Sequence, residues 1–256
     1  MVEVFATLDA TARYGALRDA APAWAVVEDR ALASLSDSVT PAGLVAVCRF
    51  LDVPFLSLVQ GARASVVEGP QASVVEGPQA SVVEGPQVSV VEVRAQRASK
   101  PLNLVAICAD VRDPGNAGTV IRTADAAGAD AVVLAGSSVD AYNPKTVRAS
   151  AGSLFHLPIA IEPDVEAAVT AARTAGLVVL AADGAGEVSL DEAADLLAAP
   201  TAWLFGNEAW GLPPATAALA DHRVRIPIHG RAESLNLSTA AALCLYGSAS
   251  AHRHTP

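Results

Sequence analysis

From Leu102 to its end the chain repeats one pattern: five to seven apolar residues, a polar turn, a stretch with helical spacing, then the next apolar run. The segments "LNLVAICAD", "DAVVLAG", "LVVLAAD", "TAWLFGN" and "VRIPI" read as strands. Residues 117–127, "PKTVRASAG", "VEAAVTAARTAG", "LDEAADLLAA", "PPATAALA" and "LNLSTAAALCLYGSAS" read as helices. A strand that is apolar at nearly every position has no face to give to water, so these runs predict an α/β fold whose parallel sheet is covered on both sides. In such sheets ligands gather at the carboxyl ends of the strands.

Polar residues concentrate at those ends. Pro114-Gly115-Asn116 follows the first strand, Gly206-Asn207-Glu208 follows "TAWLF", and a loop from His229 through Arg231, Glu233 and Ser234 to Asn236 follows "VRIPI". Each loop alone is ordinary turn chemistry, with Asn and Ser as caps and Gly supplying positive φ. Three such loops converging on one edge predict a site. The glycine fingerprint of dinucleotide-binding folds is absent, since "GAGEVS" at 184–189 lacks the final glycine, which argues against a nicotinamide dehydrogenase. His156 reads as a core or edge residue, His229 belongs to the third loop, and His252 and His254 to a polar tail.

The chain has 256 residues, 52% of them hydrophobic, enough for one sizeable core or one core and a small second domain. No apolar run is long enough to cross a membrane, and Glu3 stands where a secretory signal would be basic, so a cytoplasmic protein is expected. Cys48, Cys108 and Cys244 lie far apart inside apolar runs and read as core residues, with neither a disulfide framework nor a metal site suggested. The formal net charge is −10, opposite to the usual nucleic-acid binder, so any nucleic-acid role must rest on a local arginine cluster.

Residues 63–100 separate two parts. The octad "ASVVEGPQ" occurs at 64–71, 72–79 and 80–87, and eight residues with a Gly-Pro breaker are too few for a solenoid unit. It reads as an expanded linker; the rival reading is a spacer whose "SVVEV" adds to a sheet edge. Residues 1–62 form a small α/β segment, with "WAVVED" and "GLVAVCRF" as strands, "RALASLSD" as a helix and Pro41-Ala42-Gly43 as a turn. Residues 101–256 form the larger domain.

The motifs "DPGNAGTVIRTADAAGAD", "LFGNEAWGLP" and "VRIPIHGRAESLNLSTAAAL" resemble, in order and spacing, the three motifs of the SpoU (TrmH) branch of the SPOUT RNA methyltransferases, over residues 102–246. The resemblance implies a parallel sheet ending in a C-terminal trefoil knot, S-adenosyl-L-methionine as methyl donor, RNA as substrate and a homodimer with a shared active site. The implied reaction is methylation of a ribose 2'-hydroxyl, with ribosomal RNA favoured; the alternatives are a transfer-RNA enzyme and a catalytically silent RNA- or donor-binding protein. Residues 1–62 look like the family's small ribosomal-protein-like substrate domain, expected to be incomplete because the basic stretch that usually precedes it is not seen.

Carried onto this sequence, the resemblance makes Arg122 the central catalytic residue. Its guanidinium holds its proton too tightly for a simple base, so it is expected to clamp phosphate and orient the hydroxyl. Asn116 is expected to position Arg122 or the ribose, Glu208 to hold an arginine in a fork, and Ser234 and Asn236 to line the reaction centre. The donor is expected against Ala182, Asp183, Gly206, Ile226, Ser234 and Leu235, largely through main-chain groups, with no metal. The last helix is expected to place Leu237, Ala240, Ala241, Cys244 and Leu245 on an apolar face that meets its counterpart in the dimer, with Ala242 and Ser248 elsewhere on its surface.

Overall fold

The computed structural model describes residues 1–35, 42–64 and 101–254. The octads from residue 65 onward, and Pro41 of the predicted turn, lie outside the described residues. The chain divides into two compact units, Met1–Leu51 and Asp52–Pro256.

The first unit runs β1 (Glu3–Ala6), α1 (Leu8–Arg13), α2 (Gly15–Ala20), β2 (Trp24–Val26), α3 (Asp29–Ser34) and β3 (Leu44–Val47). Its sheet has the order β2-β1-β3, with β1 parallel to β2 and antiparallel to β3. Thr7 starts α1 as its cap, its hydroxyl accepting from the Ala10 amide. The core is small: Val4, Ala6 and Ala10, ringed by Tyr14, Trp24 and Leu44. Cys48 is exposed just past the end of β3, a correction to its reading as a core residue; Cys108 and Cys244 are buried.

The second unit opens with α4 (Phe55–Ala64), whose Phe55 and Val59 are buried among residues of the large sheet. The small segment was expected to run to residue 62, but the apolar contacts of this helix are with the second unit. After it come β4 (Leu104–Ala109), α5 (Pro114–Ala127), β5 (Ala131–Ala135), α6 (Pro144–Ala149), β6 (Ile159–Glu162) and α7 (Val165–Thr174). The chain continues through β7 (Val178–Ala182), β8 (Val188–Ser189), α8 (Ala194–Ala198), β9 (Thr201–Phe205), α9 (Pro214–Ala217), β10 (His222–Arg225) and α10 (Leu237–His254). The predicted helix "LDEAADLLAA" splits into a 3-10 turn at Leu190–Glu192 and α8.

Seven strands form one sheet in the order β6-β5-β4-β9-β7-β10-β8, and every pairing in it is parallel. Side chains alternate across each strand. On β4, Leu104, Ala106 and Cys108 join the core under α5 and α10, while Val105, Ile107 and Ala109 join the core under α4 and α7. The chain builds β4, β5 and β6 outward, returns to lay down β7, and then inserts β9 between β4 and β7. The insertion makes the β4/β9 boundary the point where strand order reverses, the usual place for a ligand crevice.

Two local features fix the helices that frame this boundary. Asp113 caps α5, accepting from the Asn116 amide at 2.8 Å, and Pro114 supplies the first helical φ. Gly118 lets α6 cross closely, for a methyl there would overlap the Thr146 carbonyl and the Ala149 side chain. On α10, Ala241, Cys244, Leu245, Ser248 and Ala249 are buried against the chain's own sheet. Ser248 is therefore a core residue and not a surface one: it accepts from the buried Trp203 indole at 3.0 Å, satisfying the donor that an apolar core would leave unpaired. His252 belongs to α10 and not to a tail, bonding Asn103 and the Ala199 carbonyl. Among the described residues no helix is long and apolar enough to cross a membrane.

Candidate functional site

The carboxyl ends of β9, β7 and β10 enclose a cavity of about 320 Å³. Ala182 and Asp183 line it from the end of β7, Phe205 and Gly206 from β9, Val224 and Ile226 from β10, and Ser234 and Leu235 from the loop before α10. All six residues read from the sequence as donor-binding, Ala182, Asp183, Gly206, Ile226, Ser234 and Leu235, meet in this one space. Gly206 is required by packing, since a side chain there would run into the Gly211 carbonyl and the Leu212 amide. Among the described residues three carboxylates, Asp183, Glu208 and Glu233, line the cavity and no lysine or arginine does. Apolar walls with an acidic rim suit a ligand that is flat and apolar in part and positively charged in part.

Beside the cavity, the loop after β9 is clasped to the start of α5. Glu208 accepts from the Arg112 amide at 3.1 Å through Oε2 and from the Asp113 amide at 3.0 Å through Oε1. Asn116 donates to Glu208 Oε1 at 3.3 Å, and Asn236 donates to Asn116 Oδ1 at 3.1 Å. Asn236 Oδ1 in turn accepts from the amide and hydroxyl of Ser238 in the first turn of α10. One chain of hydrogen bonds thus joins the loops after β4, β9 and β10. It corrects the expected role of Glu208: its carboxylate is occupied by main-chain amides and an asparagine, not by an arginine fork.

Asn207, expected only as part of the second polar loop and given no role of its own, is the second half of the clasp. It is buried, donates to the Asp110 carbonyl at 2.7 Å and accepts from the Ala209 amide at 2.8 Å. Its main chain exchanges two bonds with Gly211. Asp110 itself holds a left-handed φ of 56°, stabilised by its carboxylate accepting from the Ser137 amide. An Asn between Gly and Glu at a strand end is the signal that could have marked it.

Arg122 stands apart from the clasp. Its helix carries it about 9 Å beyond Asn116 at 1.5 Å per residue. It is exposed and makes no ion pair among the described residues. Nor does the expected pairing of Asn116 with Arg122 form among the described residues: the Asn116 amide bonds Glu208 and Asn236 instead.

The electrostatics follow this geometry. Hydrogen bonding from Lys145, then from the Asn116 amide, holds the Asp113 carboxyl below the usual carboxylate range. Burial, reinforced by the charge of Glu208, pushes the Cys108 thiol up to about 12, so it is neutral and inert under the clasp.

Residues 103–246, more than half of the chain, match the model of the SpoU rRNA Methylase family. The chain belongs to that family. It is 43% identical over 138 residues to the 23S rRNA (uridine(2479)-2'-O)-methyltransferase of Streptomyces viridochromogenes, covering 52% of this chain and 47% of the relative. It is 39% identical over 139 residues to the 23S rRNA (guanosine(2553)-2'-O)-methyltransferase RlmP of Bacillus subtilis, covering 53% of this chain and 54% of the relative. The chain thus spans about half the length of these curated relatives. Its fold is similar to that of the AdoMet-bound rRNA methyltransferase from Sinorhizobium meliloti, with a TM-score of 0.69 at 28% identity, covering 100% of this chain and 80% of that one. The SpoU methyltransferase AviRb from S. viridochromogenes, in complex with the cofactor AdoMet, matches 59% of this chain and 60% of its own length, at 39% identity and a TM-score of 0.52.

Proposed function

We propose that this protein transfers a methyl group from S-adenosyl-L-methionine to a ribose 2'-hydroxyl of ribosomal RNA. The observation that carries the reading is the meeting of the six expected donor residues in one acid-rimmed cavity that adjoins the Glu208–Asn116–Asn236 chain. Membership of the SpoU family and relatives named as 23S rRNA 2'-O-methyltransferases support it. The cavity suits the donor chemically: Ile226, Leu235 and Val224 for the adenine, main-chain groups of Gly206 and its neighbours for hydrogen bonds, and Asp183 and Glu233 for the cationic groups.

Bound there, the donor supplies a methyl group on positively charged sulfur. Attack by the 2'-oxygen on that carbon would return the carbon–sulfur electrons to sulfur and release the hydroxyl proton to water or a phosphate oxygen. Arg122, which makes no ion pair among the described residues, clamps a backbone phosphate and so aligns the hydroxyl. Asn116 and Asn236 orient the acceptor side while Glu208 holds the loops in register. Ser234 lines the reaction centre. Of the expected parts 1–62, 63–100 and 101–256, the first serves as an RNA-binding segment up to Leu51, the second as a linker, and the third, with α4 packed on its sheet, as the methyltransferase domain, knotted at its C-terminus as in the family. The protein works in the cytoplasm as a homodimer, in which Arg122 of one subunit reaches the donor site of the other. Because Ala241 is buried within its own subunit, the dimer face of α10 is assigned to exposed Leu243 and Tyr246; Leu243→Glu is expected to yield monomers by light scattering.

The test is incubation with methyl-labelled donor and total RNA, followed by digestion to nucleosides. The expected result is label on 2'-O-methylated nucleosides from large-subunit ribosomal RNA. Label on bases, or on no RNA, overturns the reading.

A further inference from the structure

Trp210 is the exception in the loop after β9. Of residues 206–211 it alone does not line the cavity, and it is 59% exposed. The other two tryptophans are placed conventionally: Trp203 is fully buried, and half-buried Trp24 donates to Thr11. A tryptophan left in water forgoes one of the largest apolar burials a side chain can make.

The loop that carries it is tied down on both sides. Asn207 and Gly211 exchange two main-chain bonds of 2.9 Å, the Asn207 side chain grips Asp110 and Ala209, and Glu208 is bonded to two amides of the neighbouring loop. Gly211 turns the chain at φ +67°. The indole is therefore presented on a rigid support, one position beyond Ala209 of the cavity wall and two beyond Glu208 of the clasp.

We propose that Trp210 is a stacking platform for an unpaired RNA base at or beside the nucleotide whose ribose is methylated. The proposal rests on the function proposed above and names a positioning residue for it. Charge decides the class of occupant. Arg112, whose amide is bound by Glu208, and Arg231, two residues before Glu233 of the cavity wall, are both exposed and without an ion pair among the described residues. In a chain of net charge −10, an exposed indole with unpaired guanidiniums on adjoining loops matches a base and its phosphates. Stacking on an indole accepts any base, so Trp210 sets affinity and orientation while leaving sequence to other contacts.

The experiment uses the full chain and its Trp210→Phe and Trp210→Ala variants. Tryptophan emission is followed during titration with oligouridylate, and methyl transfer is followed against ribosomal RNA concentration. Quenching is expected in the wild type and is lost in Trp210→Phe, which removes the reporter. Trp210→Ala raises the KM for RNA about ten-fold, Trp210→Phe recovers most of that loss, and donor affinity, melting temperature and molar mass stay unchanged. An unchanged KM in Trp210→Ala, or a fall in molar mass showing that a second copy covers the indole, overturns the proposal. Methyl transfer indifferent to Trp210 upholds the reaction and refutes the platform, whereas quenching by RNA without transfer upholds the platform and refutes the reaction.

Discussion

The clasp at the end of β9 and the outer face of α5 carry similar residues and opposite amounts of bonding. Glu208 accepts three hydrogen bonds from two other segments, while Arg122, on the helix that the clasp holds, has no ion pair among the described residues. A charged group whose capacity is consumed internally stabilises geometry; one left open is available to a ligand. The same distinction separates Asn207, enclosed by its bonds, from Trp210 three residues later.

Breaking the open side is expected to have the largest effect. Arg122→Ala lowers single-turnover methyl transfer about 10³-fold, comparable to loss of a key charge-stabilising donor elsewhere, with no change in melting temperature. Arg122→Lys fails as well, since an ammonium lacks the planar fork; full activity in that variant removes the assigned role. Gly206→Ala acts on the clasp side, where the added methyl forces Gly211 away. It is expected to cost about 1–3 kcal/mol by thermal unfolding and to weaken donor binding in calorimetry by at least about ten-fold.

Glu208→Ala sharpens the comparison further. It leaves two amides without their carboxylate, at a cost of about 1 kcal/mol after allowance for solvent exposure, and slows transfer about ten-fold by loosening the loops. A variant of unchanged stability with no activity would instead make Glu208 a reacting group. Asp113 gives a smaller, pH-dependent effect. Its folded-state pKa is depressed, so its contribution is present above the unfolded value near about 3.9 and is lost as pH falls through the lower folded value. Melting curves of Asp113→Asn are expected to fall less steeply below about pH 4 than those of the wild type. Deletion of residues 72–87 is expected to leave melting temperature and donor affinity nearly constant, because loop entropy changes slowly with length.

The sheet was legible where strands are long apolar runs. β6 was missed because Ile159–Glu162 is short and sits between Pro158 and Pro163, and β8 because it has two residues. β1 lay unrecognised in "MVEVFATLDATARYG", where four residues flanked by polar ones give little signal. The cavity residues were expected from the family resemblance, and they meet because a parallel sheet brings its strand ends to one edge. The role of Glu208 could not be read, because residue type does not say whether main-chain amides already occupy a carboxylate. Ser248 shows the same limit: a small polar residue on a helix reads as surface until a buried indole requires an acceptor.

The most direct test of this division of labour is calorimetric titration of S-adenosyl-L-methionine into the wild type and Arg122→Ala, with single-turnover transfer measured on the same samples. The account predicts donor affinities equal within a few-fold and transfer lost in the variant. Loss of donor affinity in parallel with transfer would show that Arg122 acts on the donor side, and would contradict it.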